Sequence, residues 1–148
     1  MDLDLSRITD TLYVSAYPNI EHIPLLRALP VQLMLSLTVR PPSAMVRSAM
    51  VCWMHLPCID SPITPIPMLL LWRGVDAALP VMAEGGIVLV HCRYGKHRSV
   101  AQACSILVGQ GFSPAEAMSL VKAQRPQADP YARHIQSRIY KFARTWIT

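Results

Sequence analysis

The chain has 148 residues, 52% of them hydrophobic and 16% charged, with a formal net charge of +5. That is one domain's length with enough apolar side chains for a core, and it excludes a disordered protein. The basic excess suits an anionic substrate and suits nucleic acid or a membrane surface nearly as well. No run of Lys and Arg resembles a nucleic-acid arm, so stable nucleic-acid binding is not expected.

The opening MDLDLSRITD is acidic and lacks the charged-then-apolar order of a signal peptide. Apolar runs such as PMLLLW and IVLVHC are far shorter than a membrane span. A soluble cytoplasmic protein is the expectation, with Cys52, Cys58, Cys92 and Cys104 as free thiols. The prolines are scattered at segment edges, and no repeat or linker divides the chain. Residues 1–148 therefore read as a single domain.

RITDTLYVSAY, from Arg7, predicts one or two short strands. NIEHIPLLRAL predicts a short helix capped by Asn19 and limited by Pro24. VQLMLSLTV, from Val31, predicts a buried strand stopped by Pro41 and Pro42. SAMVRSAM predicts a brief helix, and VCWMHLPC a strand ended by Pro57. Cys52, His55 and Cys58 do not suggest a zinc site there. An alternating strand denies them a common face, and no second ligand pair with zinc spacing follows. A loop holding Asp60 comes next. Thr64 and Pro65 predict the start of a helix that runs through MLLLWRGVDAALPVMAEG, with an irregularity at Pro80 and an end at Gly85 and Gly86. IVLVHC is a short unbroken apolar strand, as at the centre of a parallel sheet.

The last third predicts three helices. One covers 98–110 and is closed by Gly109 and Gly111. The next is capped by Ser113 and Pro114, with Glu116 at the capping-box position. The last begins near Asp129 and carries Tyr131, Ile135, Ile139, Phe142 and Trp146 at helical spacing as a core stripe. Trp53 and Trp72 are likewise expected as packing residues. Strands alternating with helices predict an α/β sandwich.

The chemistry gathers in HCRYGKHRS, residues 91–99. Five residues between Cys92 and Arg98, after a strand, allow a loop whose backbone N–H groups turn inward. Gly95 permits the tight backbone this requires. The following helix adds its positive end, and the result is a nest for a tetrahedral anion. Arg98 offers a planar fork for two phosphate oxygens. In such a nest Cys92 ionises readily and becomes a nucleophile that attacks phosphorus and forms a phosphocysteine. Ser99 is placed to donate a hydrogen bond that helps the sulfur leave. His91 orders the loop and tunes the thiolate. The leaving oxygen needs a proton, and Asp60, in the Pro-flanked loop CIDSPITP, is the candidate general acid. Asp76 is the rival, but it falls inside a helix. Asp129 reads as a helix cap or first-turn acid, and Asp2, Asp4 and Asp10 are weaker still.

The pattern His-Cys, five residues, then Arg-Ser resembles the signature of the cysteine-based phosphatases. SRITDTLYVSAYPN is similar to the first strands of the small dual-specificity phosphatases, and RPQADPYARHIQSRIYKF to their closing segment. Asp60 also lies about thirty residues before the cysteine, as their general acid does. The resemblance implies a central, mostly parallel sheet flanked by helices, hydrolysis through phosphocysteine, and no metal or other cofactor. It implies a phosphorylated protein or another anionic phosphoester as substrate. The chain is too short to resemble a classical or receptor-like tyrosine phosphatase domain. The cysteine is also too far from the N-terminus for the low-molecular-weight class.

Arg93, Tyr94, Lys96 and His97 stand where such loops commonly hold small residues. Basic residues at Arg93 and Lys96 resemble phosphoinositide phosphatases, and the loop also resembles that of RNA 5′-triphosphatases. Tyr94 narrows the pocket or stacks on substrate. The Asn usual near the start of the last helix is replaced around Pro130 and Tyr131. A module that binds phosphorylated partners without turnover is a different class of reading. The presence of both Cys92 and Arg98 argues against it, and the Arg-Ser ending argues against a rhodanese-like sulfur transferase. A reversible disulfide of Cys92 with Cys58 or Cys104 is left open.

Overall fold

The computed structural model describes residues 2–146. Its five strands are β1 (Leu5–Thr9), β2 (Leu12–Ser15), β3 (Val31–Ser36), β4 (Cys52–His55) and β5 (Ile87–His91). They form one sheet in the order β1-β2-β5-β3-β4. β1 and β2 pair antiparallel, and every other pairing is parallel. The helices are α1 (Ile23–Ala28), α2 (Ala44–Ser48), α3 (Met68–Ala83), α4 (Arg98–Gly109), α5 (Pro114–Gln124) and α6 (Arg133–Thr145).

The unbroken apolar runs of β3 and β5 follow from burial on both faces. Leu33, Leu35, Val88 and Val90 pack on the side of α3, α4, α5 and α6. The alternate residues Met34 and Leu89 pack on the other side, against Leu26 of α1 and Val46 of α2. α4 is buried along nearly its whole length, from Ser99 to Leu107, and it starts where β5 and its loop end. The sheet therefore fixes one end of the site and the buried helix the other. The parallel strands β2, β3, β4 and β5 all point their carboxyl ends to one edge. Their following loops meet there, in the crevice where parallel α/β sheets take ligands.

Most elements lie where the sequence predicts them, and the exceptions have local causes. α3 begins at Met68, not at Thr64. Thr64 and Ile66 each precede a proline, which excludes them from the helical region, so Pro67 becomes the residue before the first turn. Pro80 remains inside α3 at an exposed position. α6 begins at Arg133, not near Asp129. Asp129 precedes Pro130 and is neither cap nor first-turn acid. Its N–H instead donates to the Lys96 carbonyl at 3.0 Å. Tyr131 thus falls outside the helix and is exposed, while Ile135, Ile139 and Phe142 form the buried stripe. Trp146 follows the last turn and stacks on Phe142. After Asn19 a short 3₁₀ turn, Ile20–His22, leads into α1. Pro24 sits in the first turn of α1, where a missing N–H costs nothing, so it does not limit the helix.

Candidate active site

The loop between β5 and α4 carries Cys92 to Arg98. Gly95 has φ of +65°, and a Cβ there would lie 2.6 Å from Arg125 Nη2 and 2.8 Å from the Ser15 carbonyl oxygen. Only glycine meets both demands. Arg125, just past α5, is wholly buried beneath the loop. Its Nε donates to the Gly95 carbonyl at 2.8 Å and its Nη2 to the Tyr94 carbonyl at 3.1 Å. The remaining fork reaches Ser6 Oγ and Asp4 Oδ2, both at 2.9 Å. Pointing the loop's N–H groups inward turns its carbonyls outward, and Arg125 satisfies them there.

Cys92 is 3% exposed. Burial alone would raise its pKa, yet the thiol is held below its ordinary value. The counterweights are a hydrogen bond from the Ser99 side chain, the backbone N–H groups of Ser99 and Gly95, and the Arg98 charge. Sγ to Ser99 Oγ is 3.2 Å. These interactions therefore favour the thiolate form of Cys92 over that of an ordinary thiol. The other buried cysteines differ. Burial, and then the negative charges of Cys92 and Asp60 against the pull of Arg98, push Cys58 up to about 12. Burial alone pushes Cys104 up. Cys52 is exposed on β4.

Arg98 Nη1 donates to the Cys58 carbonyl at 2.9 Å and the Leu37 carbonyl at 3.2 Å. These bonds aim the guanidinium from the ends of β3 and β4 toward the loop. Its Nε is buried without a partner among the described residues. His91 lies behind the cysteine, with Nε2 at 2.6 Å from Ser36 Oγ and Nδ1 at 3.2 Å from the Cys92 carbonyl oxygen. The Trp53 indole N–H donates to the same Ser36 Oγ at 2.8 Å.

Asp60 lies in the loop after β4. It accepts hydrogen bonds from two imidazoles, His97 Nδ1 at 2.8 Å and His134 Nε2 at 2.9 Å. Partial burial works to raise its pKa, but the bonds from His134 and His97 and their charge when protonated hold it below the ordinary carboxylate value. Asp129 Oδ2 is 3.6 Å from His97 Nε2. Asp76 is exposed on α3 and takes no part in this cluster.

An open cleft of about 620 Å³ borders the loop. It is lined by Tyr17, Thr38, Arg40, Arg93, Tyr94 and Arg98 among others. Arg93 Nε donates to the Tyr94 hydroxyl at 3.2 Å and its guanidinium covers the Tyr94 ring. Lys96 is exposed and is not part of the cleft wall. The structure thus separates the two basic residues that the sequence groups together. It brings His91, Cys92, Gly95, His97, Arg98, Ser99 and Asp60 into one site. Ser36, Arg125 and His134 escape a reading of the sequence, because nothing local ties them to the loop. The Arg-Pro at 125–126 is the one faint signal.

No family model matches the chain. A stretch of 63 residues, 42% of the chain, is 44% identical to "Dual specificity protein phosphatase 1" of Arabidopsis thaliana. That stretch spans about a third of the relative's length, 32%. Human DUSP28 superposes with a TM-score of 0.84 at 23% identity, over 97% of this chain and 95% of that one. PTPMT1, solved in complex with PI(5)P, gives a TM-score of 0.84 at 21% identity over 95% of each chain. The fold is that of the cysteine-based phosphatases. In architecture the chain resembles the small dual-specificity phosphatases.

Proposed function

We propose that the protein is a phosphomonoester hydrolase acting through a phosphocysteine intermediate on phosphotyrosine or phosphoserine/threonine proteins. The observation that carries this reading is the pairing of Cys92, hydrogen-bonded to Ser99, with the buried unpartnered Nε of Arg98. A buried donor without a partner is costly, and a phosphate oxygen satisfies it.

The substrate dianion enters the nest formed by the loop N–H groups, the α4 N-terminus and Arg98. Cys92 Sγ attacks phosphorus, a P–S bond forms and the P–O ester bond breaks. The departing oxygen takes a proton through the Asp60 carboxylate, which receives it from a protonated His97 or His134 ring. Water then attacks the phosphocysteine and Asp60 accepts its proton. The P–S bond breaks, inorganic phosphate leaves, and the Ser99 hydroxyl stabilises the departing thiolate. His91 and Arg125 act through the loop and touch no substrate atom. No step draws on a metal ion.

Arg40, Arg93 and Arg98 face one cleft, which favours a second reading, a multiply phosphorylated substrate such as a phosphoinositide. An RNA 5′-triphosphate offers similar charge to the same loop. The four free thiols favour a cytoplasmic setting. Among the described residues no helix is long and apolar enough to cross a membrane.

The test is turnover of p-nitrophenyl phosphate in the presence of a chelator. Wild type turns over and Cys92→Ser does not; equal rates would sink the mechanism. A panel of phosphopeptides, phosphoinositides and triphosphorylated RNA then chooses the substrate. A drop confined to phosphoinositides in Arg40→Ala and Arg93→Ala marks the second reading as correct.

A further inference from the structure

Asp60, His97 and His134 come from three separate segments: the loop after β4, the loop before α4, and the first turn of α6. One carboxylate oxygen of Asp60 and one ring nitrogen each of His97 and His134 lie within 4.8 Å of one another. A tetrahedral zinc ion with bonds of about 2.0–2.1 Å holds its ligand atoms about 3.3 Å apart. The three atoms therefore need only small shifts to face a common ion. His97 Nδ1 faces Asp60 Oδ2 at 2.8 Å and His134 Nε2 faces Asp60 Oδ1 at 2.9 Å, so an ion bound by the carboxylate takes the place of the protons shared with the two rings.

We propose that Asp60, His97 and His134 form a binding site for a divalent transition metal, zinc by preference, and that the bound ion inhibits the phosphatase. The donor set selects the metal. Two imidazoles and one carboxylate suit Zn²⁺ and its neighbours, whereas Mg²⁺ and Ca²⁺ require mostly oxygen ligands. The site is open to an arriving ion, with side-chain exposures of 35% for Asp60, 19% for His97 and 18% for His134. Three protein ligands leave the fourth position to water. A ligating histidine normally offers its other N–H to a carboxylate, which fixes the ring. Asp129 occupies that place, 3.6 Å from His97 Nε2.

Inhibition rests on the reading of Asp60 as the general acid. A carboxylate oxygen bound to zinc neither delivers a proton to the leaving oxygen nor takes one from water. The ion also ties the Asp60 loop to the loop before α4 and to α6. This is a rim site of nitrogen and oxygen donors, separate from Cys92, and the hydrolysis uses its three side chains but not the ion.

Binding is measured first, without activity. Zn²⁺ is titrated into chelator-stripped protein against a chromophoric competitor, and Co²⁺ is added to a second sample. One equivalent is expected in wild type and equally in Cys92→Ser. The cobalt spectrum should show tetrahedral d–d bands without thiolate charge transfer. Loss of one partner around a ligand already costs about 10–100-fold in affinity. Asp129→Asn should therefore weaken binding by about tenfold, and His134→Gln and His97→Asn by at least about a hundredfold. Thermal melting confirms that the variants are folded. Binding that disappears in Cys92→Ser, or persists in both histidine variants, overturns the site. Zn²⁺ should then abolish wild-type turnover while His134→Gln keeps its own zinc-free rate. Stoichiometric binding without inhibition overturns the inhibitory role. Wild type that binds zinc but never hydrolyses phosphate overturns the phosphatase reading and leaves the metal site standing.

Discussion

Ser36 Oγ lies 2.6 Å from Nε2 of His91, and the Cys92 carbonyl, which can only accept, puts the proton of the neutral ring on Nδ1. The Trp53 indole is donor only and uses one lone pair of Ser36 Oγ. The serine proton is then free to point at Nε2, and Nδ1–H donates to the Cys92 carbonyl. The neutral ring thus links β4 and β3 to the carbonyl of the residue that begins the loop. Ser36→Ala leaves a buried imidazole nitrogen and the Trp53 N–H without partners. The expected cost is about 1–3 kcal/mol, read as a lower urea midpoint at unchanged m-value.

His91 also predicts how stability varies with pH. Burial, first of all, lowers its pKa from 6.5 to about 4, and the nearby Arg98 charge adds to this. Between those values the unfolded chain binds a proton that the folded chain does not, so stability falls as pH falls. The contribution is complete above about pH 7 and shrinks through the window from 6.5 to 4, by about 3 kcal/mol at most. Urea midpoints at pH 7 and pH 4.5 measure it. His91→Asn should flatten the slope, and an unchanged slope would contradict the assignment.

The Cys92 thiolate should appear in its alkylation rate by iodoacetamide. The pH profile of wild type should bend below that of an ordinary thiol. Ser99→Ala removes the largest of the lowering interactions, so its bend moves to higher pH. The same variant should lose at least about tenfold in kcat, equivalent to roughly 1.4 kcal/mol for one hydrogen bond. A phosphoenzyme that builds up in Ser99→Ala places the loss in the second step.

Arg125 is predicted to matter as much as residues that touch substrate. Arg125→Met leaves the outward carbonyls of Gly95 and Tyr94 unpaired, at a cost of about 3 kcal/mol. Asp4, at the other end of the fork, is half exposed, so little of the loss comes from that ion pair. kcat should fall with little change in the alkylation rate of denatured protein, which controls for thiol content. Arg125→Lys cannot span both carbonyls and should recover only part of the loss.

Gly95→Ala tests the same contact from the other side. The new Cβ meets the Ser15 carbonyl, which belongs to the backbone of β2 and cannot swing away. Together with a positive φ, the strain is about 1–3 kcal/mol. Turnover should collapse while far-ultraviolet circular dichroism is preserved.

The loop and its strand were legible because their information is local. IVLVH announces a strand covered on both faces, and HCRYGKHRS carries its chemistry in contiguous residues. The helix starts predicted at Thr64 and near Asp129 each fall four residues early, because Pro67 and Pro130 keep the residues before them out of the helical region. Asp60 is legible as a candidate from its loop, but its partner His134 is 74 positions away. Arg125 was invisible for a different reason. A lone arginine is usually exposed, and only the folded loop shows why this one is buried.

Arg125 joins Asp4 and Ser6, near the start of the chain, to the carbonyls of Tyr94 and Gly95. During synthesis the cysteine and its loop emerge well before residue 125. Until that arginine arrives and the first strand docks, the loop's carbonyls have no buried partner and its curl is unsupported. The curl around Cys92 is therefore supported only once the first strand and the segment after α5 have met beneath the loop.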